Sequence, residues 1–84
     1  MYRYVFKSQA LKDLQKLPLD VQKRIIKKLD YFISSQNPLF FADSLINYEI
    51  GQYRYRIGDY RVIFDIMNET IIILTVGHRK EIYK

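Results

Sequence analysis

A chain of 84 residues is long enough for one small domain, and a domain of that size buries only somewhat more than ~60% of its unfolded surface, so its core should be thin. The lack of cysteine removes disulfides, thiolate metal sites and cysteine nucleophiles, and a single histidine makes a metal centre a poor fit. A formal net charge of +5, from 14 basic and 9 acidic residues, suits an anionic partner, either nucleic acid or an acidic protein. Hydrophobic content of 49% argues against disorder. No run approaches the ~18 apolar residues of a membrane helix. The opening MYRYVFK has no apolar stretch of signal-peptide length, which predicts a cytoplasmic protein with no membrane partner.

Tyr2 to Lys7 alternates as a strand does, and Ser8 is placed to cap a helix that turns Leu11, Leu14 and Leu17 inward. A second helix can begin at Pro18, with Val21, Ile25, Leu29, Phe32 and Ile33 as its apolar stripe, and should stop before Asn37-Pro38. Lys12, Lys16, Lys23, Arg24, Lys27 and Lys28 fall between these apolar positions and read as a solvated helix face. Leu39 to Tyr48 reads as an irregular connection whose Phe40, Phe41, Leu45 and Ile46 are packing groups. From Glu49 the period changes to two: a strand to Ile57, another from Tyr60 to Ile66, a turn at Asn68-Glu69, and a run from Ile71 to Val76 that is apolar on both faces and should be covered on both. The expected architecture is a single α+β domain over residues 1–84: an N-terminal strand, then a helical hairpin packed on an antiparallel sheet that the strand forms with a C-terminal three-stranded meander.

The stretch YRYRIGDYRVIFDI, residues 53–66, carries the first functional signal. Gly58-Asp59 between two alternating runs predicts a type II′ hairpin. If Ile57 faces Tyr60, then Arg56 lies across from Arg61, Tyr55 from Val62 and Tyr53 from Phe64. One face is then apolar and aromatic, and the other gathers Arg54, Arg56 and Arg61. Like charges opposed on a sheet destabilise it, so an anion from outside the domain is expected to relieve them.

The second signal is GHRKEIYK, residues 77–84, where an apolar strand ends in His78, Arg79 and Lys80, then Tyr83. Pairing about Asn68-Glu69 puts Val76 opposite Arg61 and brings this tail beside the arginine face. Strand parity then sets His78 on the side of Arg61 and Arg79 on the other, unless Gly77 bends the chain.

Arginines bind phosphate through forked, charge-assisted hydrogen bonds. Metal-free RNA cleavage needs help in deprotonating the 2′-hydroxyl, cations for the crowded phosphorane, and a proton donor for the leaving oxygen. Arg61 and Arg79 can supply the cations, while Arg54, Arg56 and Lys80 can hold flanking RNA. Arginine does not deprotonate in proteins, which leaves His78 and Tyr83 for proton transfer. Tyrosine, with an ordinary pKa of ~10, would need neighbouring cations to act as a base.

These elements, GDYRV and VGHRKEIY in that order and spacing, with FKSQALKDLQKLP before them, resemble the RelE/ParE toxin superfamily, and in particular its RelE-like branch of toxin–antitoxin systems. The resemblance implies a cofactor-free toxin that cuts messenger RNA in the ribosomal A site by 2′-hydroxyl attack, leaving a 2′,3′-cyclic phosphate. It also implies a RelB-like antitoxin, acidic and partly disordered when free, that folds around the toxin. Arg61 and Arg79 match the family's phosphate-stabilising arginines, and Tyr83 its tyrosine for 2′-hydroxyl activation or base stacking. Arg54 and Arg56 stand where well-studied relatives carry lysines, so a lysine base is unavailable; some relatives use a histidine near the position of His78 as acid or base. Two rival readings remain: a ParE-like poison of DNA gyrase, and a non-catalytic basic module that binds RNA by charge and stacking.

Overall fold

The structure, a computed structural model, describes residues 1–46 and 49–83. In chain order the elements are β1 (Arg3–Phe6), α1 (Ser8–Gln15), α2 (Leu19–Ser34), a 3-10 turn (Pro38–Phe41), β2 (Ala42–Ser44), β3 (Tyr53–Ile57), β4 (Tyr60–Met67) and β5 (Thr70–His78). The strands form one sheet in the order β1-β5-β4-β3-β2. β1 runs parallel to β5, as a strand followed by a helical crossover can, and the other pairs are antiparallel, so the sheet is mixed rather than antiparallel throughout as expected. Both helices lie in the crossover from β1 and cover one face, which is the α+β arrangement expected. Among the described residues no helix is long and apolar enough to cross a membrane.

The core forms between that helix layer and the sheet. Ala10, Leu14, Val21, Ile25, Leu29 and Phe32 meet Tyr55, Ile57, Val62, Phe64, Ile71, Ile73 and Val76. Aromatic rings run through its centre: Phe32 to Tyr55 at 4.3 Å between centroids, and Tyr55 to Phe64 at 4.5 Å. Tyr55 is fully buried, its hydroxyl donates to the Pro38 carbonyl at 2.8 Å, and burial pushes its phenol far above the ordinary value.

The α2 stripe, its start beside Pro18 and its end before Asn37 are as the periodicity predicts. In α1 the rotation differs. Ala10 is buried and Leu11 is 44% exposed, so Leu11 is not an inward residue. The Lys7 N–H donates to the Ile73 carbonyl at 2.9 Å, so the ladder of β1 runs up to the helix and fixes its angle of entry. Ser8 is accordingly the first helical residue, and Lys7 occupies the cap without a side-chain bond.

The connection after α2 holds an edge strand that periodicity did not show. β2 pairs Ala42 with Tyr55, Asp43 with Arg54 and Ser44 with Tyr53. Its three residues, none of them β-branched, carry no period-two signal. Phe41 packs against the core, but Phe40 is 80% and Ile46 98% exposed, so these two are not packing groups. Asn47, Tyr48 and Lys84, which end the expected connection and the C-terminal tail, lie outside the described residues. β3 starts at Tyr53 rather than Glu49, because the preceding segment crosses the outer face of the sheet. There Gly51 sits on Ile63 and Leu74 at φ +149°, and a Cβ would lie 2.5 Å from the Ile63 Cγ2. The Gln52 side chain accepts from the Ile66 N–H at 3.0 Å, and the Gln52 backbone N–H donates to Asp65 Oδ1 at 2.9 Å. β5 is thus covered on both faces at Leu74.

Candidate functional site

The hairpin register is the one the sequence predicts: Ile57 opposite Tyr60, Arg56 opposite Arg61, Tyr55 opposite Val62 and Tyr53 opposite Phe64. Gly58 has φ +59°, and Asp59 is not among the positive-φ residues, as a type II′ turn requires. The arginine face therefore exists, on the side of the sheet away from the helices.

Its charges are balanced largely from within. Asp43 of β2 places Oδ2 at 3.0 Å from Arg54 Nη2, 3.3 Å from Arg54 Nε and 3.0 Å from Arg56 Nε. The anion expected from outside is thus, in the free chain, a carboxylate of the domain, supplied by the strand the sequence did not reveal. Arg61 instead donates one nitrogen, Nη1, to the carbonyls of Gly58 and Tyr60 at 2.8 and 2.9 Å. Its Nε and Nη2 have no partner among the described residues.

The tail meets this face by a route that strand parity did not anticipate. Pairing about the Asn68-Glu69 turn runs in register as far as Phe64 opposite Ile73, then shifts so that Ile63 faces Thr75, with Leu74 as the extra residue. This bulge puts Gly77, not Val76, opposite Arg61, and His78 opposite Tyr60. From Val76 onward the side chains change face. His78 accordingly stands edge-on to the Tyr60 ring, centroids 5.4 Å apart, rather than beside Arg61. Arg79 falls opposite Asp59: its N–H donates to the Asp59 carbonyl at 2.8 Å, and its Nε lies 3.4 Å from Asp59 Oδ1.

The chain then turns back. The His78 carbonyl accepts from the N–H groups of Glu81 and Ile82 at 2.8 and 3.1 Å, and His78 Nδ1 accepts from the Lys80 N–H at 3.1 Å. Ile82 crosses over Gly77, where a Cβ would come within 3.3 Å of the Ile82 Cδ1. This carries Tyr83 across the sheet to Arg54, whose Nη1 donates to the tyrosine hydroxyl at 2.8 Å. That bond raises the pKa of the Arg54 guanidinium, burial opposes it, and the bonds to Asp43 add to it. Lys80 stays exposed in the turn.

Arg54, Arg56, Arg61, Arg79 and Tyr83 are therefore brought to one end of the sheet around the β3–β4 hairpin. His78 is next to them but faces Tyr60, and it organises the turn that delivers Tyr83. Reading the sequence missed Asp43 and Asp59 as partners of these arginines. Asp59 could have been found from the hairpin once the bulge was known, whereas β2 offered no signal for Asp43. Among the described residues no group of three acidic or histidine side chains is arranged to hold a metal.

Two helices packed on a five-stranded mixed sheet is the fold that this chain shares with solved toxins of RelBE systems. Residues 4–83 match the family described as the ParE toxin of the type II toxin–antitoxin system parDE, and the chain belongs to that family. It is 32% identical to the toxin RelE3 of Methanocaldococcus jannaschii, over 96% of this chain and 94% of that one. It is likewise 32% identical to the toxin RelG of Mycobacterium tuberculosis, over 99% of this chain and 97% of that one. Among solved structures it superposes on the RelBE2 toxin–antitoxin complex of M. tuberculosis with a TM-score of 0.76 and 30% identity, covering 93% of this chain and 98% of that one. The protein is a RelE-like toxin of a type II toxin–antitoxin system.

Proposed function

We propose that this toxin is an endoribonuclease that cuts messenger RNA in the ribosomal A site by 2′-hydroxyl attack on the adjacent phosphate, and that a RelB-like antitoxin restrains it. The observation that carries this reading is the Arg54–Tyr83 hydrogen bond, which holds the one tyrosine of the tail within the arginine face. Each group then has a part. Arg61, anchored through Nη1 to the hairpin carbonyls, offers its other donors to the phosphorane oxygens, where fixed charge-assisted hydrogen bonds lower the barrier most. Arg79 adds a second cation beside the turn. Tyr83 accepts a bond from Arg54 and keeps its own O–H for exchange with the substrate, which suits proton transfer at the 2′-oxygen or the leaving oxygen. His78 has Nδ1 committed to the Lys80 N–H, within the turn that delivers Tyr83. We assign it to positioning Tyr83, with proton donation open only through Nε2.

So few reacting groups favour a mechanism in which the ribosome supplies orientation, a term that contributes up to roughly 7–11 kcal/mol in well-aligned reactions. A messenger with one 2′-deoxynucleotide at the A-site cleavage position tests the chemistry. The account predicts that this message survives on translating ribosomes while its all-ribose counterpart is cut to a 2′,3′-cyclic phosphate. Cleavage of the deoxy message would exclude 2′-hydroxyl attack. The ParE name of the matching family keeps a gyrase target as the second reading, and two intact messages would favour it.

A further inference from the structure

Three N–H donors from two guanidinium groups converge on a single oxygen, Asp43 Oδ2: Arg54 Nη2 at 3.0 Å, Arg54 Nε at 3.3 Å and Arg56 Nε at 3.0 Å. An ordinary surface ion pair does not need this convergence, and exposed pairs are worth little for stability. The arrangement is that of an oxyanion cradle. The side chains of Arg56 and Asp43 are 62% and 35% exposed, so the cradle opens to solvent. The opposite edge of Arg54 is bonded to Tyr83, so whatever fills the cradle is coupled through one guanidinium to the tyrosine hydroxyl.

With Arg54 and Arg56 taken to hold an RNA phosphodiester, as the sequence suggests, we infer that Asp43 is a built-in competitor which fills their cradle in the free chain and must swing out when RNA binds. This rests on the RNA-binding half of the function proposed above, not on cleavage. A non-bridging phosphate oxygen is an anionic acceptor like the carboxylate oxygen, so the exchange keeps both arginines paired with one anion and returns Asp43 to water. A lone phosphate ion gains little by displacing a carboxylate already tethered in place. A polyanion that also engages Arg61, Arg79 and Lys80 gains much more, because the tethering works in its favour. Asp43 therefore sets a threshold: it makes the toxin a weak ligand for short or loosely presented RNA and reserves tight binding for RNA held along the whole face. In this role Asp43 determines specificity without touching the reacting atoms.

The test is binding of a 2′-O-methyl RNA decamer, which lacks the attacking hydroxyl and cannot be cut, measured by fluorescence anisotropy across a salt series. Wild type is compared with Asp43→Asn and with Glu69→Gln, which removes an equal charge at the β4–β5 turn, the far end of the sheet. The expected result is that Asp43→Asn binds about tenfold more tightly at each salt concentration, with a log–log salt slope like that of wild type, since the same phosphates are contacted in both complexes. Glu69→Gln should change affinity less than twofold. Equal or weaker binding by Asp43→Asn, or an equal gain from Glu69→Gln, would overturn the proposal. If Asp43→Asn does not fold, the wild-type protein answers the same question by NMR. The Nε–H signals of Arg54 and Arg56 and the Asp43 carboxylate signal should all shift on titration with the decamer and stay put with inorganic phosphate. Signals unmoved at saturating decamer would refute it. Because no strand is cut in either assay, a toxin that proves not to be a ribonuclease leaves both results interpretable.

Discussion

On the helix-covered face of the sheet Tyr55, Phe64, Ile71 and Ile73 have lost all contact with solvent, whereas one residue along in β3, on the opposite face, the Arg56 side chain keeps 62% of its exposure. The two faces are made by alternate residues of the same strands. Burial of a large apolar side chain contributes about 1.5–3 kcal/mol, so the covered face determines whether the chain folds. The exposed ion pairs of the outer face contribute roughly 0–1 kcal/mol each. That difference leaves the arginines free to be arranged for a partner, and the fold tolerates their close approach because Asp43 and Asp59 sit among them.

Substitutions on the two faces should therefore separate stability from activity. The largest loss of stability is expected from Phe64→Ala, which opens a cavity in the aromatic stack and should cost about 3–5 kcal/mol in urea unfolding. Gly51→Ala should follow at about 1–3 kcal/mol, since the new Cβ meets the Ile63 Cγ2 at 2.5 Å in a backbone conformation that L-residues rarely adopt. This loss would show that the loop side of the outer face, unlike its arginine end, is itself packed. Tyr55→Phe leaves the Pro38 carbonyl without its donor and should cost about 1 kcal/mol. Tyr83→Phe, by contrast, should leave the midpoint within about 0.5 kcal/mol while reducing cleavage by about 10²-fold. A Tyr83→Phe protein that loses stability instead would erase the distinction between the faces.

The smallest effect concerns pH. Tyr4 donates to Asp30 Oδ1 at 2.7 Å, and burial first, then that bond and the Asp30 charge, push its phenol up to about 12. The folded state thus holds the proton more tightly than the unfolded chain, whose tyrosine titrates near ~10. The resulting stability is complete below pH ~10 and is lost as pH rises from there toward 12. Unfolding midpoints from pH 9 to 12 should fall more steeply for wild type than for Tyr4→Phe.

The covered face was legible in the sequence because its signals are periodic: the α2 stripe and the alternation around Gly58-Asp59 gave the correct helix and hairpin register. What the sequence hid was aperiodic. The extra residue Leu74 leaves no mark in an apolar run, yet it turns His78 from Arg61 to Tyr60. β2 is only three residues long, so Asp43 looked like loop and the arginines looked unneutralised. Tyr83 was recognisable as a candidate, but its contact with Arg54 depends on the turn at His78, set by long-range pairing. Residue types at the site were thus readable, while their pairings required the third dimension.

The claim that the arginine face is a ribonuclease site is tested most directly by primer extension on a messenger in translating ribosomes, with wild type and an Arg61→Ala protein of matched thermal stability. The account predicts new breaks in frame with the A site for wild type, reduced roughly 10²-fold or more by the substitution. Breaks that persist undiminished in Arg61→Ala, or an intact message with wild type, would contradict it.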